Sequence, residues 1–193
     1  MKELKDPESM EFEELLSRGI EASRAGEGEE AVAWFKRACA ASPRTAMPQL
    51  LLGSELCALR RNEEAEAAIA SAVLLEPELY VARYQLGLLQ FSAGRPAVAI
   101  VTWRPLLDLP DTDPLLHYVR GFVAVAQERP GEALAHYREG LACDGNNPSI
   151  ASDIRRVMDG IEALPATTEG KAAPQGQDNH LLLANYRRHD RLH

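Results

Sequence analysis

The chain is poor in cysteine and in positive charge, and it has no long apolar run. Its three cysteines, Cys39, Cys57 and Cys143, are odd in number, widely spread and without C-x-x-C spacing. That argues against a disulfide framework and a zinc site. Basic side chains number 21 against 29 acidic, a formal net charge of −8. Nonspecific nucleic-acid binding needs a basic face that displaces counterions, and an anionic membrane surface also attracts cations. An acidic body fits neither, and its charge serves solubility. No apolar stretch approaches the roughly 20 residues that span a bilayer. The start, MKELKDPESMEFEELL, has no apolar signal core. A reducing, cytoplasmic setting is expected.

Catalytic patterns are also missing. Gly170-Lys171 is followed by Ala172 and preceded at 165 by Pro, so a phosphate loop would lack its first glycine and its metal-binding hydroxyl. There is no G-x-S-x-G elbow and no H-E-x-x-H. His189 and His193 share a helical spacing, yet no Cys or third His stands near them to complete a ligand set. The expectation is no catalytic residue, no metal and no cofactor.

What the chain does have is a period. Gly19, Gly53, Gly87 and Gly121 stand 34 residues apart. Each is followed in register by a small residue, Ala31, Ala65, Ala99 and Ala133. Each alanine is followed by a large one, Phe35, Ile69, Trp103 and Tyr137. A glycine on one helix and an alanine on the next let two backbones approach, and the large side chain fills the space that remains. Over four periods these columns strongly resemble the tetratricopeptide repeat, a helix–turn–helix unit of this period. The resemblance covers residues 12–147 and implies an all-α fold, a right-handed superhelical α-solenoid. The repeats are placed at 12–45, 46–79, 80–113 and 114–147, after an N-terminal extension at 1–11.

The turns carry breakers: Gly26 and Gly28, Arg61-Asn62, Gly94 with Pro96, and Pro130-Gly131. Several positions depart from the family pattern. Arg18 and Arg120 replace a usual leucine, Gln49, Arg83 and His117 a usual large apolar residue, and Gly140 a usual alanine. Pro105 should kink or shorten the second helix of the third repeat. Residues 148–163 supply an end piece, a capping helix with Ile150, Ile154, Met158 and Ile161 on one face and Arg155, Arg156 and Asp159 on the other. Residues 164–177 lack large apolar side chains and read as a flexible linker. The segment 178–193 is apolar and basic, with helical character expected; Leu181, Leu182, Leu183, Tyr186, Arg187 and Arg188 give it its chemistry.

The resemblance also implies a site, because the inward positions of each first helix line the groove of such arrays. In this chain they include Leu16, Ile20, Met47, Leu50, Val81, Tyr84, Leu88, Phe91, Leu115, Tyr118 and Phe122. An exposed apolar face of this kind marks a binding surface, and Tyr and Phe are favoured there. Family members that clamp the acidic C-terminus of heat-shock chaperones use Lys and Asn at such positions, which this chain does not have. The implied function is a non-enzymatic scaffold or adaptor that holds an apolar helix or extended peptide. The linker of about 13 residues reaches roughly 20 Å. The chain's own tail is therefore a candidate ligand, in cis or across a homodimer. The rival is a chaperone for a secreted or membrane-inserting client, since small acidic tetratricopeptide proteins of type III secretion resemble this chain in size and charge.

Overall fold

A computed structural model describes residues 7–163, with side chains from residue 11 onward. Among these residues the structure is all-α. The helices are α1 (Pro7–Arg24), α2 (Gly28–Ala41), α3 (Ala46–Ala58), α4 (Asn62–Leu75), α5 (Tyr80–Ser92), α6 (Pro96–Trp103), α7 (Pro114–Ala126), α8 (Pro130–Ala142) and α9 (Pro148–Glu162), with a 3₁₀ segment at Arg104–Asp108. Helices α3, α5, α7 and α9 start 34 residues apart. The tail residues from Leu181 to Arg188, and the pair His189 and His193, lie outside the described residues.

Each first helix ends in the same way. Gly26, Arg60, Gly94 and Glu128 all adopt a left-handed backbone, with φ of 78°, 59°, 79° and 59°. The next amide in each case reaches back to close the helix: Glu27 N–H to Ala22 O, Arg61 to Leu56, Arg95 to Gln90 and Arg129 to Ala124, all at 2.9 Å. This closing bond satisfies carbonyls that the helix end leaves without a partner. Glycine suits the left-handed residue at two of the turns; Arg60 and Glu128 adopt it at some cost in strain.

Two of the second helices, α6 and α8, and the end helix α9 start at residues that stabilise a first turn. Pro96 and Pro130 sit where the missing N–H forgoes no bond. Asn147 caps α9, its side-chain oxygen accepting from the Ser149 and Ile150 amides at 3.0 and 3.3 Å. Pro105 acts as expected: α6 stops at Trp103, and the chain tightens into the 3₁₀ segment. That segment still buries Leu106 completely.

The chain divides between Leu89 and Gln90 into two compact units. In the first, α1 packs on α2, α2 on α3 and α3 on α4. One core cluster gathers Ala22, Ala31, Val32, Phe35, Leu52, Leu56, Ala65 and Ala68. A second gathers Ala46, Leu50, Ile69, Ala72, Val73, Ala82 and Leu86. In the second unit, α7 packs on α8 and α8 on α9. Its core holds a run of rings. Phe122 lies 5.3 Å from Phe91, 5.4 Å from Trp103 and 5.4 Å from Tyr137 between centroids. On α9, Ile150, Ile154 and Ile161 are buried and Met158 is half-buried, while Arg155, Arg156 and Asp159 face solvent.

The glycine columns are explained by contact. A Cβ on Gly19 would meet Phe35 Cε1 at 2.5 Å. On Gly53 it would fall within the surface of Ile69, and on Gly121 within that of Tyr137. Gly140, a departure from the pattern, has the same cause. A Cβ there would stand 2.6 Å from Tyr118 Cε1 and 3.1 Å from His117 Cβ.

Candidate functional site

Within the first unit, the inward positions of the first helices fall into two groups. Leu16 and Ile20 on α1 and Val81 on α5 are half-buried and lean against the core clusters. Leu88 is also half-buried, and Met47 on α3 is 44% exposed. Leu50 and Tyr84, by contrast, are buried, Tyr84 almost completely. Their surface is spent on packing. The half-buried set is apolar, carries no charge and keeps surface in reach of solvent.

In the second unit, Leu115 on α7 is half-buried, while Phe91, Tyr118 and Phe122 are buried. Phe91 and Phe122 belong to the aromatic core. The Tyr118 hydroxyl donates to Asn146 Oδ1, whose amide nitrogen in turn donates to Cys143 O at 2.6 Å and Gly140 O at 3.1 Å. That network anchors the loop between α8 and α9, and burial pushes the Tyr118 hydroxyl up to about 12. Six of the eleven residues thus keep accessible surface: Leu16, Ile20, Met47, Val81, Leu88 and Leu115.

Four of the polar departures from the family pattern have partners. Arg18 Nη2 bonds Glu14 at 2.6 Å, and its guanidinium lies 4.9 Å from the Trp34 ring centroid. Arg37 lies 4.6 Å from the same centroid, so Trp34 carries two cations. Arg120 pairs with Asp111 at 3.1 Å, and Arg83 Nη2 donates to Pro77 O at 3.0 Å. His117 is buried, with its ring nitrogens on Asp111 O and Glu139. His117, His136 and Glu139 come together only in the folded pair α7 and α8. The sequence signals two of them by an H-x-x-E spacing on α8, which places both side chains on one helix face.

The cysteines are free and half-buried. Cys57 packs against both core clusters of the first unit. Burial pushes the Cys39 and Cys57 thiols up to about 11. A thiol raised by folding contributes stability that is fully present below the ordinary thiol range near 8.5. It is lost as pH climbs through the folded value. Resistance to urea is expected to fall between about pH 9 and pH 11, and Cys57→Ala to flatten that fall. Unfolding curves taken across this range on both proteins check it. Parallel curves would show that burial of Cys57 does not carry the effect.

Paired helices, a repeated left-handed turn and small-residue columns against large side chains define the class: this chain has the tetratricopeptide-repeat fold. Solved structures of MamA and PilF, tetratricopeptide-repeat proteins, share it. A crystal structure of MamA aligns with a TM-score of 0.58 at 22% identity, over 67% of this chain and 76% of that one. MamA residues 41 to the end from Desulfovibrio magneticus RS-1 align at 0.59 and 13%, over 92% of each chain. PilF of Pseudomonas aeruginosa aligns at 0.62 and 16%, over 95% of this chain and 87% of its own. No family model and no curated protein matches the sequence. No helix among the described residues is long and apolar enough to cross a membrane.

Proposed function

We propose that the protein is a non-enzymatic interaction scaffold that binds an apolar helix or extended segment of a protein partner. The observation that carries this reading is the uncharged, accessible apolar set on the first helices of the first unit: Leu16, Ile20 and Met47, joined by Val81 and Leu88. Large side chains that keep solvent contact at a family's inward positions gain by covering one another's exposed surface with a ligand. No built carboxylate clamp competes, because these positions hold no Lys or Asn. The fold shared with MamA and PilF supports a role in protein binding. The chain's segment 178–193, with Leu181, Leu182, Leu183 and Tyr186 beside Arg187 and Arg188, matches both the apolar face and the acidic body. It is the first ligand to test, in cis or as an arm in a homodimer.

The test uses a fluorescent peptide of residues 178–193 and anisotropy against the chain ending at Pro165, in which no tethered tail competes. Binding in the micromolar range is expected. Ile20→Asp and Met47→Asp should each weaken it at least tenfold, a loss of about 1.4 kcal/mol. Leu74→Asp should leave it unchanged, since Leu74 lies on second helix α4 and is 82% exposed. Equal affinity in all four proteins would remove these positions from the site. Light scattering on the full chain and on one ending at Pro165 then separates a docked arm from an idle tail, by whether a dimer becomes a monomer.

A further inference from the structure

Position 117 holds a histidine where the fold's pattern favours a large apolar side chain, and its surroundings are specific. His117 is 6% exposed, so both ring nitrogens need partners. Nε2 lies 2.7 Å from the Asp111 carbonyl oxygen, which only accepts. That nitrogen therefore bears the proton and donates. Nδ1 of the neutral ring is left as a lone pair. It faces Glu139 Oε2 at 3.2 Å, and His136 Nδ1 stands 3.1 Å from the same oxygen. His136 Nδ1 takes either role with its tautomer; in the one that leaves it unprotonated, three electron-pair donors converge from α7 and α8, an arrangement a single cation satisfies. One metal ion accepts all three pairs at once.

We propose that His117 Nδ1, His136 Nδ1 and Glu139 Oε2 bind a divalent transition-metal ion of the zinc type, with water in the fourth position. The distances fit. Bonds of about 2.0–2.1 Å in a tetrahedron place neighbouring ligand atoms roughly 3.3 Å apart, close to the two edges given above. All three atoms lie within 4.8 Å of one another. The His136 side chain is 31% exposed and Glu139 55%, which leaves α8 free to turn its ligands inward and opens the site to water. The Asp111 carbonyl supplies the outer hydrogen bond that fixes the tautomer and orientation of a ligating histidine. Two imidazoles and a carboxylate suit zinc, cobalt or nickel; calcium and magnesium seek oxygen donors. Such an ion would tie α7 to α8, the pair at the core of the second unit. This inference does not depend on the peptide-binding reading.

The experiment is a calorimetric titration of the untagged full chain with Zn²⁺, with the visible absorption of bound Co²⁺ as a second readout. One ion per chain is expected, together with a rise in melting temperature on adding Zn²⁺. His136→Ala and Glu139→Gln change accessible side chains and should still fold. Each should lower the affinity at least tenfold and lose the Co²⁺ spectrum. Changing His189 and His193 together to alanine should leave both readouts as they are. Absence of binding in the parent chain overturns the proposal. So does unchanged binding in His136→Ala and Glu139→Gln, or binding abolished by the His189 and His193 change.

Discussion

Phe122→Ala is expected to cost about 3–5 kcal/mol of stability. Its ring touches three others, Phe91, Trp103 and Tyr137, at centroid distances of 5.3–5.4 Å. Trp103 and Tyr137 have no exposed surface. Rings so enclosed cannot collapse into the space left behind, so the loss of transfer energy is joined by a cavity cost and the loss of edge and stacking contacts. Leu16→Ala removes a side chain of comparable reach from a half-buried site and should cost well under half as much, because part of its surface already meets water. Urea unfolding of the two variants gives the comparison. The chain has two tryptophans, Trp34 on α2 and Trp103 on α6. In a Trp34→Phe background the fluorescence reports Trp103 alone, whose ring stacks on Phe122. Equal costs for the two substitutions would mean that Phe122 is not enclosed as described.

Gly121→Ala is the second large effect, and it has the opposite sign to the same change elsewhere. A methyl group on Gly121 would fall within the surface of the Tyr137 ring, at Cε1, Cδ1 and Cζ. That ring is fully buried against Phe122 and has nowhere to go. Overpacking of this kind costs about 1–3 kcal/mol, more than the gain in helix propensity. Gly160 on α9 is the control, since a Cβ there meets nothing within 4 Å. Gly160→Ala should stabilise by about 0.4–1 kcal/mol, through a less disordered unfolded chain and better helix propensity. Melting temperatures of the two single variants decide the matter. A stabilising Gly121→Ala would mean that α7 and α8 lie further apart than the columns require.

These columns explain why so much of the fold was legible. Close approach of two helices leaves a compulsory small residue, and that residue recurs at each period whatever surrounds it. Gly121 and Tyr137 could therefore be read as partners before any contact was known. Pro105 was readable too, because a missing N–H ends a helix in any context. Two of the left-handed turn positions escaped, since Arg60 and Glu128 lack the glycine that betrays Gly26 and Gly94. The fate of the inward positions was less legible. A side chain facing the inside of a helix pair faces the next pair as well, and whether Tyr84 or Met47 keeps contact with water depends on angles of packing that a period does not encode. His117 shows the limit most plainly. Alone it is a departure from a pattern, and only the approach of α8 gives it His136 and Glu139 as neighbours.

The way the helices pair has a consequence in time. α1 packs on α2, α3 on α4 and α7 on α8, each with its neighbour along the chain. The loops that must close to form these pairs are a few residues long, so little entropy is lost before contacts begin to form. Chains built on such local pairings fold in microseconds to milliseconds, and in repeat arrays growth can begin from any pair that forms first. Neither unit has to wait for a distant segment to arrive.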